Sequence, residues 1–266
     1  MNLGQAAPNL KLVSAVFVFI SLRRLFPHAL GALIALVPIA AIHPSAQARL
    51  SEDLVRALEN ALNNNNSAGL NALLEKGPGL NPAGLESKVQ LLRQTFADAR
   101  WQLSNGPDLK DGRSTLLIKV TGSHQEAGRS FRLEANQKLA VQQNGRKLSS
   151  QEIIGQESIL RSGKKDLEVS VIAPEEVLTG QRYDFDVVVD EPLKDAVVAG
   201  GIVEVSKEAI ASLRSPEISL GALNGGGIFK TIQAPYKAGS QSWAVLLMHP
   251  EGIVSVSRMV RVVARR

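Results

Sequence analysis

Arg129-Ser130-Phe131-Arg132-Leu133-Glu134-Ala135-Asn136 sets Phe131, Leu133 and Ala135 on one side of an extended chain and Arg132, Glu134 and Asn136 on the other. Successive side chains of a strand point to opposite faces of its sheet, so this period of two predicts a half-buried antiparallel strand over 129–141. Asn144-Gly145 follows, a pair that tolerates positive φ and suits a tight hairpin, and Glu152 to Leu160 supplies the returning strand. Upstream, Thr115 to Val120 forms another strand. Trp101-Gln102-Leu103, running into Asn105-Gly106-Pro107, begins the meander.

Before Ala99 the period is helical. Ser51 is placed to cap a first helix, Glu52 and Asp53 suit its positive end, and Leu54, Val55, Leu58, Ala61 and Leu62 fall on one face. The Asn63–Asn66 run ends it. Ser67 is expected to cap a shorter helix carrying Leu70, Leu73 and Leu74, closed by Gly77-Pro78-Gly79. Asn81-Pro82 then offers a cap and a first-turn proline to a third helix with Leu85, Val89, Leu92 and Phe96 in one stripe.

Three amphipathic helices followed by a long antiparallel meander resemble the nuclear transport factor 2-like (SnoaL-like) family, over Arg49 to about Arg161. The Gln142-Gln143-Asn144-Gly145-Arg146-Lys147-Leu148 turn, continued by Ser149-Ser150-Gln151-Glu152-Ile153, is similar to the closing hairpin of that family's cones. The resemblance implies helices closing one side of a curved sheet. It also implies a pocket inside the cone, where the family's enzymes place an acid or base. No residue here maps onto that acid or base. Phe96, Trp101 and Phe131 are the candidate ligand-binding residues of the lining, with plain core as their alternative role.

Ser162-Gly163-Lys164-Lys165-Asp166 reads as a polar junction, with 163–166 as linker. After it, Leu167 to Ile172, Tyr183 to Val189, Ala196 to Val205, Ile228 to Ile232, Trp243 to Met248 and Val254 to Val263 are strand-like runs. They are punctuated by Pro174, Gly180, Pro192, Gly225-Gly226-Gly227, Gly239 and Pro250-Glu251-Gly252. Many short strands between turns predict an antiparallel β-sandwich over 167–266. The stretch from Pro174 through Gly180-Gln181-Arg182-Tyr183 resembles the first-to-second strand turn of bacterial immunoglobulin-like modules. The fold class expected is therefore α+β, a helix-packed cone over 49–162 and then an immunoglobulin-like sandwich.

Arg23-Arg24, the apolar run Ala29 to Ile42 and Ala46-Gln47-Ala48 have the order of a secretory signal peptide over 1–48. The 14-residue run contains Gly31 and Pro38 and is shorter than the roughly 20 apolar residues of a membrane span. A second apolar stretch, Leu12 to Leu22, leaves open a true start near Leu22 or an uncleaved hairpin. Arg23-Arg24-Leu25-Phe26 also resembles a twin-arginine motif, although Leu22 stands where Ser or Thr is usual. Export to the periplasm or beyond is expected, with membrane contact only through this segment before cleavage.

Cleavage after Ala48 removes Lys11, Arg23, Arg24 and no acid, lowering the formal net charge from +5 to +2. Nucleic-acid binding needs a concentrated basic surface, and this balance argues against it. The chain has no cysteine, which excludes disulfides, thiolate catalysis and cysteine-ligated zinc. His124 and His249 are the histidines that survive cleavage, and both read as exposed turn residues without a neighbouring nucleophile. Gly225-Gly226-Gly227 opens a strand, whereas a phosphate cradle opens a helix. Asp184 and Asp186 alternate with Tyr183, Phe185 and Val187 as a solvated sheet face does. Ser206-Lys207 lacks the SxxK spacing of a nucleophilic serine. No catalytic residue, metal ligand or cofactor is assigned. The reading is a binding or scaffold protein, with an apolar small ligand in the cone and a protein partner on the sandwich. Acid/base catalysis in the cone, of isomerase, cyclase or hydrolase type, is the alternative.

Overall fold

The computed structural model describes residues 49–126, 128–163, 167–190, 198–212, 214–223 and 226–264. The expected signal segment 1–48 and Lys164-Lys165-Asp166 of the expected linker lie outside the described residues. Ser51 Oγ accepts from the Leu54 N–H at 3.3 Å and starts α1 (Glu52–Asn63), whose buried face is Leu54, Val55, Leu58, Ala61 and Leu62. Asn65 turns the chain out of α1 at φ 52°, a region asparagine tolerates better than most residues. That turn leaves Asn66, and not Ser67, at the cap of α2 (Ser67–Ala72), its Oδ1 accepting from Gly69 N–H at 2.8 Å. Pro82 opens α3 (Pro82–Thr95), where its missing N–H costs nothing, and Asn81 makes no side-chain cap bond.

The meander consists of β1 (Arg100–Asn105), β2 (Ser114–Glu126), β3 (Arg129–Asn144) and β4 (Lys147–Gly163), all antiparallel neighbours. Asn144 pairs with Lys147, so Gly145-Arg146 is the two-residue loop. Gly145 carries φ +58°, which a primed hairpin turn requires of its first central residue. The second half contains β5 (Val169–Ile172), β6 (Glu176–Leu178), β7 (Arg182–Val189), β8 (Val198–Glu204), α4 (Lys207–Ala211), β9 (Gly221–Leu223), β10 (Gly227–Gln233), β11 (Gly239–His249) and β12 (Gly252–Val263). At three residues each, β6 and β9 are too short to show a period in the sequence. Ser206 caps α4 by accepting from Ala209 N–H at 3.1 Å, which accounts for that serine without chemistry.

The expected cone is not formed as a separate body. β4 pairs along its other edge with β12, from Gly252↔Gly163 to Met259↔Gln156, and one sheet runs β1-β2-β3-β4-β12-β11-β8-β9, with β6 added in parallel on β12. Arg258 and Glu157, paired in that register, also form an ion pair at 3.0 Å. The meander is therefore part of a larger sheet that continues into the second half. The fold is α+β in the broader sense, with few helices and large antiparallel sheets.

The two larger buried clusters lie on opposite faces of the large sheet. Leu160 of β4 belongs to the first, with α1 to α3 and β1 to β3, while its neighbour Ile159 packs against the second. The second cluster is a β-sandwich. Tyr183, Phe185, Val187, Ile228 and Ile232 of the small sheet β10-β7-β5 meet Trp243, Val245, Leu247, Val254, Val256 and Val260 of the large one. A polar chain crosses this interface: Trp243 Nε1–H donates to Tyr183 Oη at 3.0 Å, and Tyr183 O–H donates to Gln241 Oε1 at 3.0 Å. Burial pushes the Tyr183 phenol up to about 12.

Candidate functional site

Between α3 and the sheet lies a cavity of about 80 Å³. A water needs roughly 10–15 Å³ of such space, so the cavity has room for several waters or one short alkyl chain. Its apolar walls include Leu62 and Leu70 of the first two helices, Val89 and Leu92 of α3, and Trp101 and Leu139 of the sheet. Lys88, Gln137 and Gln151 are its polar lining residues, and among the described residues no carboxylate or histidine lines it.

Side-chain anchors hold this space open. Arg93 of α3 reaches the last turn of α1, donating through Nη2 to the Leu62 and Asn63 carbonyls, and its guanidinium lies 4.7 Å from the Trp101 ring centroid. Burial, aided by nearby Arg100, lowers the Arg93 pKa from its usual value. The α2 to α3 connection is pinned to β4: Glu75 N–H donates to Leu148 O at 2.8 Å and Gln151 N–H to Pro78 O at 3.0 Å. A Cβ on Gly79 would lie 1.9 Å from Gln151 O, so only glycine allows that approach. With the loop tied down at one end and Arg93 holding the other, α3 spans the sheet like a beam, and the space beneath its Leu85–Val89–Leu92 stripe stays unfilled.

The edge of the sheet under this helix layer is covered by side chains in place of a strand. Asn63 Nδ2 donates to Trp101 O at 2.8 Å, Asn63 Oδ1 accepts from Trp101 N–H at 2.9 Å, and Glu59 Oε2 accepts from Leu103 N–H at 2.6 Å. These bonds satisfy outward-facing groups of β1 that an exposed edge would offer to another chain.

Of the three residues expected to line a pocket, Trp101 does so at 4% exposure. Phe96 at 0% and Phe131 at 5% pack elsewhere in the same core, on either side of His124, with ring centroids 6.4 and 6.3 Å from the imidazole. His124 is therefore not an exposed turn residue. β2 continues to Glu126, two residues beyond it, and the ring is half-buried. His249 does sit at a turn, where its Nδ1 accepts from Glu251 N–H at 3.1 Å. Among the described residues no group of three His, Asp or Glu could hold a metal ion.

Sequence reasoning missed Lys88. It stands three residues after Leu85 and four before Leu92, on the stripe that should be apolar, and that misplaced charge was readable. Burial pushes its amine down to about 8. Among the described residues it makes no ion pair. A larger polar recess beside Leu50, lined by Ser114, Gln142, Gln143, Asn144 and Ser149, contains no titratable side chain among the described residues.

A family model described as Domain of unknown function (DUF8623) matches residues 164–263. No curated protein matches the chain. The match corrects both resemblances drawn from the sequence. Over 164–263 the chain is similar to this family, and the match lends no support to the immunoglobulin-like resemblance beyond the β-sandwich itself. The meander, continued into the second half by the β4 to β12 pairing, has no support as a nuclear transport factor 2-like domain.

Proposed function

We propose that this is an exported, non-catalytic binding protein that takes a small apolar ligand into the cavity beneath α3. The observation that carries the reading is the lining: a leucine-rich enclosure with, among the described residues, a single charged side chain and no acid/base pair. Acid/base catalysis, the alternative reading of the sequence, pairs a positioned donor with an acceptor at the reacting group, and among the described residues the walls offer the Lys88 amine alone, with no carboxylate or imidazole beside it. The division of labour follows the two buried clusters and the span of the family match, with 49–162 holding the ligand and 167–266 meeting a protein partner. On the outward face of the small sheet, Ile172 and Phe229 are 59% and 61% exposed in one register row, flanking Asp186. Export with loss of 1–48 completes the proposal, and intact mass of the envelope form should begin at Arg49.

The ligand reading is tested with neutral alcohols of increasing chain length, displacing the uncharged dye Nile red. Each buried methylene contributes about 0.8 kcal/mol, so affinity should rise roughly fourfold per added carbon until the space is full. Val89→Phe, which fills the cavity from α3, should abolish the series while leaving the fold intact. Absence of binding, or a series indifferent to Val89→Phe, would overturn the reading.

A further inference from the structure

We infer that the ligand of this cavity is an amphiphile with a carboxylate head, held by the Lys88 ammonium, its alkyl chain lying among the leucines beneath α3. The inference rests on the cavity being the binding site, as proposed above, and adds the chemical class. Lysine is a costly choice on the inward stripe of a helix, where a leucine would fill the same space. Other half-buried cations of the chain have partners: Arg113 has Asp111 and Glu152, Arg161 has Glu168, and Arg258 has Glu157. Lys88 has none among the described residues, and the space it lines is otherwise walled by apolar side chains and two neutral glutamines. An anionic head entering beside it supplies the missing counter-charge, and the chain occupies walls that have no polar alternative.

The surroundings favour an anion over other polar heads. α1, α2, β1 and β2 contribute only apolar side chains to the lining, β3 contributes Gln137 and β4 Gln151, both neutral and able to donate. The nearest acid on the same helix, Glu86, is engaged by Asn71 Nδ2 at 2.9 Å. Because burial holds the empty-site amine down to about 8, a bound carboxylate raises it again, and binding takes up a proton above that pH. Affinity for the anion is therefore full below about pH 8 and falls as pH rises beyond it.

The test compares octanoate with octanol by calorimetry on the full mature chain, in the wild type and in Lys88→Met, at about pH 7 and about pH 9.5. The expected result is a preference for octanoate of about tenfold at the lower pH, the range of one charge-assisted bond. That preference should shrink at the higher pH and vanish in Lys88→Met, which should bind octanoate no better than octanol and, with an apolar side chain of similar length, keep the fold. Equal binding of the two in the wild type, or a preference that survives Lys88→Met, would overturn the inference and leave the cavity reading standing. Failure of both compounds to bind would remove the cavity reading itself and this inference with it.

Discussion

Trp101→Ala measures how the first core is built. The ring is 4% exposed, and large aromatics bury about 150–250 Å², which at about 25 cal/mol per Å² amounts to roughly 4–6 kcal/mol. Emptying such a site in a folded protein costs about 3–5 kcal/mol. One side of this ring already borders open space, so it makes fewer contacts than a ring packed all round, which places the expected loss near the lower bound, about 3 kcal/mol. Loss of the Arg93 stacking adds at most about 1 kcal/mol, since Arg93 keeps its two carbonyl acceptors. Urea unfolding followed by circular dichroism, with Trp243 as a separate fluorescence reporter, reads this as a midpoint lowered by about 1–3 M. Trp101→Phe should lose only about 1 kcal/mol. A loss below about 1 kcal/mol for the alanine variant, with unchanged slope, would refute the packing described and leave the ring a surface group of the cavity mouth.

Asn63→Ala removes both side-chain bonds to the Trp101 backbone and should cost about 2 kcal/mol, since the freed groups lie at a sheet edge that water can reach; a self-association detected by sedimentation would report the uncovered edge. Tyr183→Phe leaves Trp243 Nε1 and Gln241 Oε1 facing an apolar ring and should cost about 1–3 kcal/mol by urea midpoint. The folded Tyr183 phenol lies above its unfolded value of about 10, so its contribution is present below that pH and lost as pH rises toward about 12. The wild type should therefore lose more stability than Tyr183→Phe between about pH 10 and pH 12, and parallel pH profiles for the two would contradict the buried phenol.

Local periodicity carried much of the architecture. The apolar stripe of α1, the Ser51 cap and the alternation in β3 and β7 are written in neighbouring residues, and their structure follows from short-range geometry. Capping was legible to within one residue, because whether Asn66 or Ser67 caps α2 depends on where the Asn65 turn releases the chain. Trp101 was legible as a lining candidate from its size and place. The two phenylalanines named with it were not separable from it, since all three are large, apolar and buried, and only packing decides which of them meets empty space.

By itself, then, the sequence determined the main helices and longer strands, the Asn144-Gly145 hairpin turn, the absence of thiol chemistry and the sheet-on-sheet character of the second half. Each depends on residue identity or on spacings of two to four residues. Tertiary structure alone decided that β4 and β12 join the halves in one sheet, that Asn63 serves as a substitute strand for β1, and that Lys88 faces a cavity. Backbone pairing between strands about 100 residues apart is insensitive to side-chain type. A void arises from the stand-off between two packed elements, and neither leaves a pattern in local sequence.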